Sequence, residues 1–269
     1  MNRVYRNPLT FSSVDALAFA AERDRLEGQA PEIPFTPSDL GPLFEHFHLS
    51  TEGLLPPLQS NSWLVLSSVS PMIKALADGK SKWICPHNKN CGFMQVGVHA
   101  SQDRLEWVSF RLAAQKAAVS VGFHKKTAAQ LIGAFGELQS NIEEHSGAPE
   151  TGLAVFNAIP GRFEFVISDH GMGVLSSLQT NSDYMHLSNH GDALVMALTE
   201  GCSRFGEKIG RGYGFRPLFI GLANLRGSLR FRTGDHALTI DGYNPTLMNA
   251  KIAQKAQMNG FFSSVCCVL

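Results

Sequence analysis

The chain has 269 residues, of which 44% are hydrophobic and 17% charged, and its 23 basic residues are matched by 23 acidic ones. That is enough apolar material for one large core or two small ones, and the balance of charge excludes a global field that would draw the chain to nucleic acid or an anionic membrane. Five scattered cysteines make no disulfide framework, and no segment approaches the roughly 20 apolar residues of a membrane span, so a soluble protein of the cytoplasm is expected.

Residues 1 to about 60 mix short helical patterns with proline-rich joints such as PEIPFTPSDLGP and LLPPL. Ser13 is expected to cap a helix through Val14, Leu17, Ala18 and Ala21, which share one side at helical spacing. From 61 to 108 the pattern is mixed: a strand-like run, SWLVLSSV, a Gly/Lys-rich turn and the segment WICPHNKNCGFMQVGV. Residues 1–108 are therefore read as an N-terminal region of unknown function, either an extension or a small separate domain.

Beyond 108 the order is more legible. A helix through RLAAQKAAV precedes a longer one from Lys125 to His145, where Leu131, Phe135, Leu138 and Ile142 form a stripe that should face a sheet. GLAVFN and RFEFVIS follow as an antiparallel hairpin turning at Ala158-Ile159-Pro160-Gly161, the second strand alternating Phe163, Phe165 and Ile167 with polar neighbours. A polar loop from Ser176 to His190 leads to a helix from about Asp192 to Gly201. After a glycine-rich stretch come a helix through PLFIGLANL, with Pro217 in its first turn and Gly227 at its end, and the strands SLRFRT and HALTI. The order predicts an α+β fold, a two-layer α/β sandwich with a mostly antiparallel sheet and helices on one face. It spans residues 109–245, and 246–269 are read as a C-terminal tail.

Three polar motifs sit on these elements. Glu137 and Asn141 are four apart on the long helix and project from one side of it, a pattern that a solvated helix face also produces. Asp169-His170-Gly171-Met172-Gly173 follows a strand, where an acidic side chain can accept from an exocyclic amine and glycines admit a flat ligand; a capped tight turn has the same composition. Gly210-Arg211-Gly212-Tyr213-Gly214 precedes a helix, and its backbone N–H groups suit a polyphosphate. It is neither the dinucleotide fingerprint, since Phe215 takes the third glycine's place, nor a Walker loop.

In this order and on these elements, E-x-x-x-N, D-x-G-x-G and G-x-G-x-G resemble the N, G1 and G2 boxes of the GHKL superfamily, which includes histidine kinases, anti-sigma factor kinases, type II topoisomerase ATPase domains, mismatch-repair proteins and heat-shock chaperones. The resemblance covers residues 109 to 241 and implies a Bergerat fold that binds ATP with Mg²⁺. By that resemblance Asn141 coordinates the Mg²⁺, Glu137 orients or deprotonates the attacking water, and Asp169 takes the adenine amine. Gly171 and Gly173 shape the base pocket, and Gly210, Gly212 and Gly214, with Tyr213 among them, wrap the phosphates at the end of a lid, CSRFGEKI. Lys208 or Arg211 is expected to neutralise phosphate charge, and Thr239 to support Asp169 through water. The implied activity is ATP hydrolysis or γ-phosphoryl transfer to a partner protein, with a nucleotide-sensing switch as the alternative. Related domains often dimerise, so a homodimer is an expectation. The phosphoacceptor helix of a complete sensor kinase is missing, because Phe123-His124-Lys125-Lys126 does not fit it.

Two weaker features remain. Cys85, His87 and Cys91, with His99, have ligand chemistry suited to zinc but no recognised spacing. The sequence closes on Cys266-Cys267-Val268-Leu269, the C-a-a-X form that accepts a prenyl group, or else an apolar tail tucked against the fold.

Overall fold

Phe163, Phe165 and Ile167 alternate with Glu164, Val166 and Ser168 along the strand Arg162–Asp169, and both sets are buried. A strand with two buried faces requires cover on each side, and the rest of the chain supplies it. The computed structural model describes residues 7–24, 35–37, 39–57, 69–97, 104–199, 218, 222 and 225–269.

In chain order the elements are β1 (Asn7–Leu9), α1 (Phe11–Asp24), β2 (Phe35–Pro37), α2 (Leu40–Thr51), α3 (Ser70–Ala77), β3 (Lys82–Ile84), β4 (Cys91–Gln95), α4 (Arg104–Ser120), α5 (Lys125–His145), β5 (Leu153–Ile159), β6 (Arg162–Asp169), α6 (Gly173–Gln179), α7 (His190–Leu198), β7 (Arg226–Thr233), β8 (His236–Tyr243), β9 (Lys251–Gln254) and β10 (Phe261–Val268). Eight of the strands form one sheet in the order β3-β4-β5-β6-β10-β7-β8-β9, with every neighbouring pair antiparallel. β1 and β2 pair in parallel as a separate ribbon.

On one face of the sheet, Phe156, Phe163, Phe165, Ile167, Phe231 and Val265 pack against Phe110 of α4, Leu131, Phe135 and Leu138 of α5 and Leu194 of α7. The stripe expected on the long helix is this contact, and α5 has the bounds read from its periodicity. This face and its helices are the α/β two-layer arrangement. On the opposite face, Phe93, Val155, Val166 and Phe262 pack against Val14 of α1, Leu43 and Phe44 of α2 and Met72 of α3. The N-terminal region therefore contributes a further helical layer and an edge hairpin to the same sheet, rather than a separate body.

Local chemistry explains several boundaries. Thr10, not Ser13, caps α1: the Ser13 amide donates to Thr10 Oγ1 at 3.2 Å while Thr10 N donates to Ser13 Oγ at 2.7 Å, a reciprocal box. α2 has no side-chain cap of its own, and its Leu40 amide donates to Glu164 of β6 at 3.1 Å. The loop expected from Ser176 to His190 begins inside α6 and contains a 3-10 turn at Ser182–Tyr184, and Gly227 lies in β7 instead of ending a helix. Residues 246–269 do not form a tail. They carry β9 and β10, and β10 lies in the interior of the sheet between β6 and β7. Cys266 and Cys267 belong to β10, and burial pushes the Cys266 thiol up to about 12. A residue locked at that position cannot present the extended, accessible C-a-a-X form.

Candidate functional site

Alternation along β6 turns Asp169 toward the face covered by α4, α5 and α7, the side that Phe165 and Ile167 also occupy. The strand register carries this row across the sheet: Asp169 is opposite Phe261 of β10, which is opposite Thr233 of β7. Asp169 is buried, and that burial pushes its carboxyl up to about 6 although the Gly171 amide donates to Oδ1 at 2.8 Å. One row further into the sheet, between Ile167 and Phe231, stands Ser263, whose buried hydroxyl has no hydrogen-bond partner among the described residues.

The turn after Asp169 is held by three close approaches. A methyl group on Gly171 would overlap the Ser146 carbonyl at the end of α5, and Met172 N donates to that same carbonyl at 2.8 Å. Gly173 adopts φ +75°, and a side chain there would meet Thr233 Oγ1 at 2.7 Å. Thr233 Oγ1 in turn accepts from Val174 N at 3.1 Å and donates to the Gly260 carbonyl at 2.8 Å. Gly260, at φ +69°, lies so close that an added methyl would overlap the Asp169 carbonyl. Gly171 and Gly260 are there because backbone touches backbone, and Gly173 because its positive φ and the Thr233 hydroxyl leave no room for a side chain.

Glu137 is exposed and Asn141 half-buried on α5, the helix whose C-terminal end touches the Gly171-Met172 turn. The structure thus brings the helix bearing the first motif against the second motif. Thr239 is not beside Asp169. It pairs with Arg230 of β7 and Lys251 of β9, and its hydroxyl donates to the Lys251 carbonyl at 3.4 Å. Two strands, β10 and β7, separate it from β6. The hydroxyls near Asp169 on that face are Thr233, on its row, and Ser263, one row further in; sequence reasoning missed both because a hydroxyl inside an apolar strand has no spacing signature. Lys208, Gly210, Arg211, Gly212, Tyr213 and Gly214, with the lid CSRFGEKI and His99, lie outside the described residues.

Cys85 and Cys91 oppose one another where the β3–β4 hairpin closes, with Cys85 N donating to the Cys91 carbonyl at 2.9 Å, while His87 is exposed at the tip. They do not converge with His87. The clustered metal-ligating side chains among the described residues are His48, Glu52 and His170. No described helix is long and apolar enough to cross a membrane. Neither the comparison with protein-family models nor that with curated proteins gives a match.

Proposed function

We propose that this protein binds ATP with Mg²⁺ in a GHKL-type pocket on the α5 face of the sheet, and that the nucleotide is either hydrolysed or donates its γ-phosphate to a partner protein. The observation that carries the reading is Asp169, a buried carboxyl at the end of an interior strand, followed by Gly171 pressed against Ser146 at the end of α5. A carboxyl held there is desolvated and aimed, so an exocyclic amine gains more from it than from one in water. The Ser263 hydroxyl, without a partner among the described residues, adds a second polar group on the same face, suited to a bound ligand or water. In this reading Asn141 is the Mg²⁺ ligand, Glu137 handles the attacking water, the 210–214 glycines wrap the phosphates with Lys208 or Arg211, and Thr233 replaces Thr239 as the hydroxyl beside the base pocket. The fold is then of the Bergerat type, and the protein works in the cytoplasm.

Titrating the full chain with Mg·ATP while following thermal unfolding tests this. At a ligand concentration 100 times Kd, mass action stabilises the native state by about 2.7 kcal/mol, a shift of several degrees. Asp169→Asn should abolish most of it, and an equal shift in that variant, or none in the parent, overturns the reading. Phosphate release that disappears in Glu137→Ala identifies an ATPase. Tight binding without release identifies the second reading, a switch that recruits a partner when the lid closes.

A further inference from the structure

His48 and Glu52 are four apart at the end of α2, so their side chains share one side of the helix, and His170 reaches them from the turn between Asp169 and Gly171. Glu52 Oε1 lies 3.2 Å from His48 Nε2 and 3.2 Å from His170 Nδ1. With metal–ligand bonds of roughly 2.0–2.1 Å, the ligand atoms of a tetrahedral zinc site stand about 3.3 Å apart, so two edges of such a site are already set.

Hydrogen bonding at the cluster leaves a place for a cation. Thr51 Oγ1 donates to the His48 carbonyl at 2.7 Å and lies 2.9 Å from His170 Nε2, placed to accept from that nitrogen when the ring carries its proton there. Without an ion, His170 Nδ1 hydrogen-bonds Glu52 at 3.2 Å; with the ring proton on Nε2 instead, the Nδ1 lone pair faces the carboxylate. Two acceptors 3.2 Å apart repel unless a proton or a metal ion lies between them. The two imidazoles stack with centroids 3.8 Å apart, which brings a nitrogen of each to the same carboxylate oxygen. A divalent ion satisfies all three groups at once.

We propose that His48 Nε2, Glu52 and His170 Nδ1 bind a divalent transition metal of the zinc type, with solvent or a further ligand at the fourth position. Two imidazoles and one carboxylate are a zinc donor set with an open position, and the Thr51 hydroxyl is the outer partner that fixes the His170 tautomer. His48 is buried and His170 partly exposed, so the ion enters from the His170 side. Binding requires the rings to splay until their lone pairs converge. His48 Nε2, which now donates to the Asn259 carbonyl at 3.1 Å, must present a lone pair, so the neutral ring exchanges its Nε2 proton for one on Nδ1 through solvent, with no net loss. The metal ties α2 to the Asp169–Gly173 turn on the face opposite the nucleotide site. An influence of metal on ATP affinity would follow, and that consequence alone rests on the function proposed above.

The test uses the full chain, stripped with chelator and free of nucleotide, titrated with Zn²⁺ against a chromophoric competitor and, in parallel, with Co²⁺ followed by visible absorption. One equivalent should bind, with Co²⁺ d–d bands and no thiolate charge-transfer band. His170→Ala should weaken Zn²⁺ at least tenfold, and Glu52→Gln serves as the second variant, each compared with the parent by circular dichroism. A Cys85→Ser/Cys91→Ser double variant should bind as the parent does. The proposal is overturned if the parent binds no metal, if His170→Ala and Glu52→Gln both bind undiminished, or if the cysteine variant loses the ion. ATP titration is independent, so its failure leaves the metal result intact.

Discussion

Asp169 shows how one residue can matter for stability and binding in opposite senses. Its folded pKa of about 6 lies above the ordinary 3.8, so the native state holds the proton more tightly than the unfolded chain between those values. Stability from this group is therefore greatest at low pH and falls as pH rises toward 6, by about 3 kcal/mol. Urea unfolding of the parent and of Asp169→Asn, compared between pH 4.5 and 7.5, should show the variant gaining on the parent across that window. A constant difference would mean the carboxyl is not perturbed. Glu52 has the reverse sign. Its carboxyl is held at about 2 because the hydrogen bonds from His170 and His48 outweigh the burial that would raise it, so its contribution is present above 4.5 and lost as pH falls toward 2. A buried acid that costs stability when charged is what the proposed base-binding position would look like before its ligand arrives.

At the level of elements, the N-terminal layer is fastened by charge as well as by apolar packing. Glu45 of α2, fully buried, accepts from Arg230 Nε at 2.7 Å and from Arg232 Nη1 at 2.6 Å, and Asp15 of α1 also pairs with Arg230. Removing one member leaves the others charged and dry, so Glu45→Ala should cost about 3–5 kcal/mol, read as a lower urea midpoint. Substituting all the partners by apolar residues of similar volume should cost far less. This network also explains what could and could not be read beforehand. α5 and the β5–β6 hairpin follow from periods of 3.6 and 2, because each has a helix stripe or strand alternation set by burial. α1 was legible as a helix from Val14, Leu17, Ala18 and Ala21, but its packing with α2 as a layer on the sheet was not, because the buried Asp15, Glu45, His46 and His48 look like solvent-facing polar residues. FFSSVCCV lacks alternation for a related reason: β10 is covered on both faces, so it reads as an apolar tail. Within the site, Asp169 and its glycines were visible as a motif. His48, Glu52 and His170 were not, since two of the three are a hundred residues or more away from the third in sequence.

For the whole molecule, the Asp169–Gly173 turn is the junction of every layer. The C-cap of α5 touches it through Ser146, β7 through Thr233, the residue before β10 through Gly260, and the end of α2 through the Glu52–His170 contact. A change bound on either face of the sheet at this junction is felt by the other across a single strand end. The central position of β10 sets a stricter dependence. A chain stopped after Gly260 should be cleaved rapidly by a nonspecific protease under conditions where the full chain resists; equal resistance would mean that the two halves of the sheet stand independently. During synthesis β6 and β7 leave the ribosome with an unfilled gap between them, and only residues 261–268 can bridge it. Each half meanwhile exposes a sticky open edge, so the hazardous interval runs from the emergence of β7 to that of residues 261–268, when a chaperone or another nascent copy can reach that gap first.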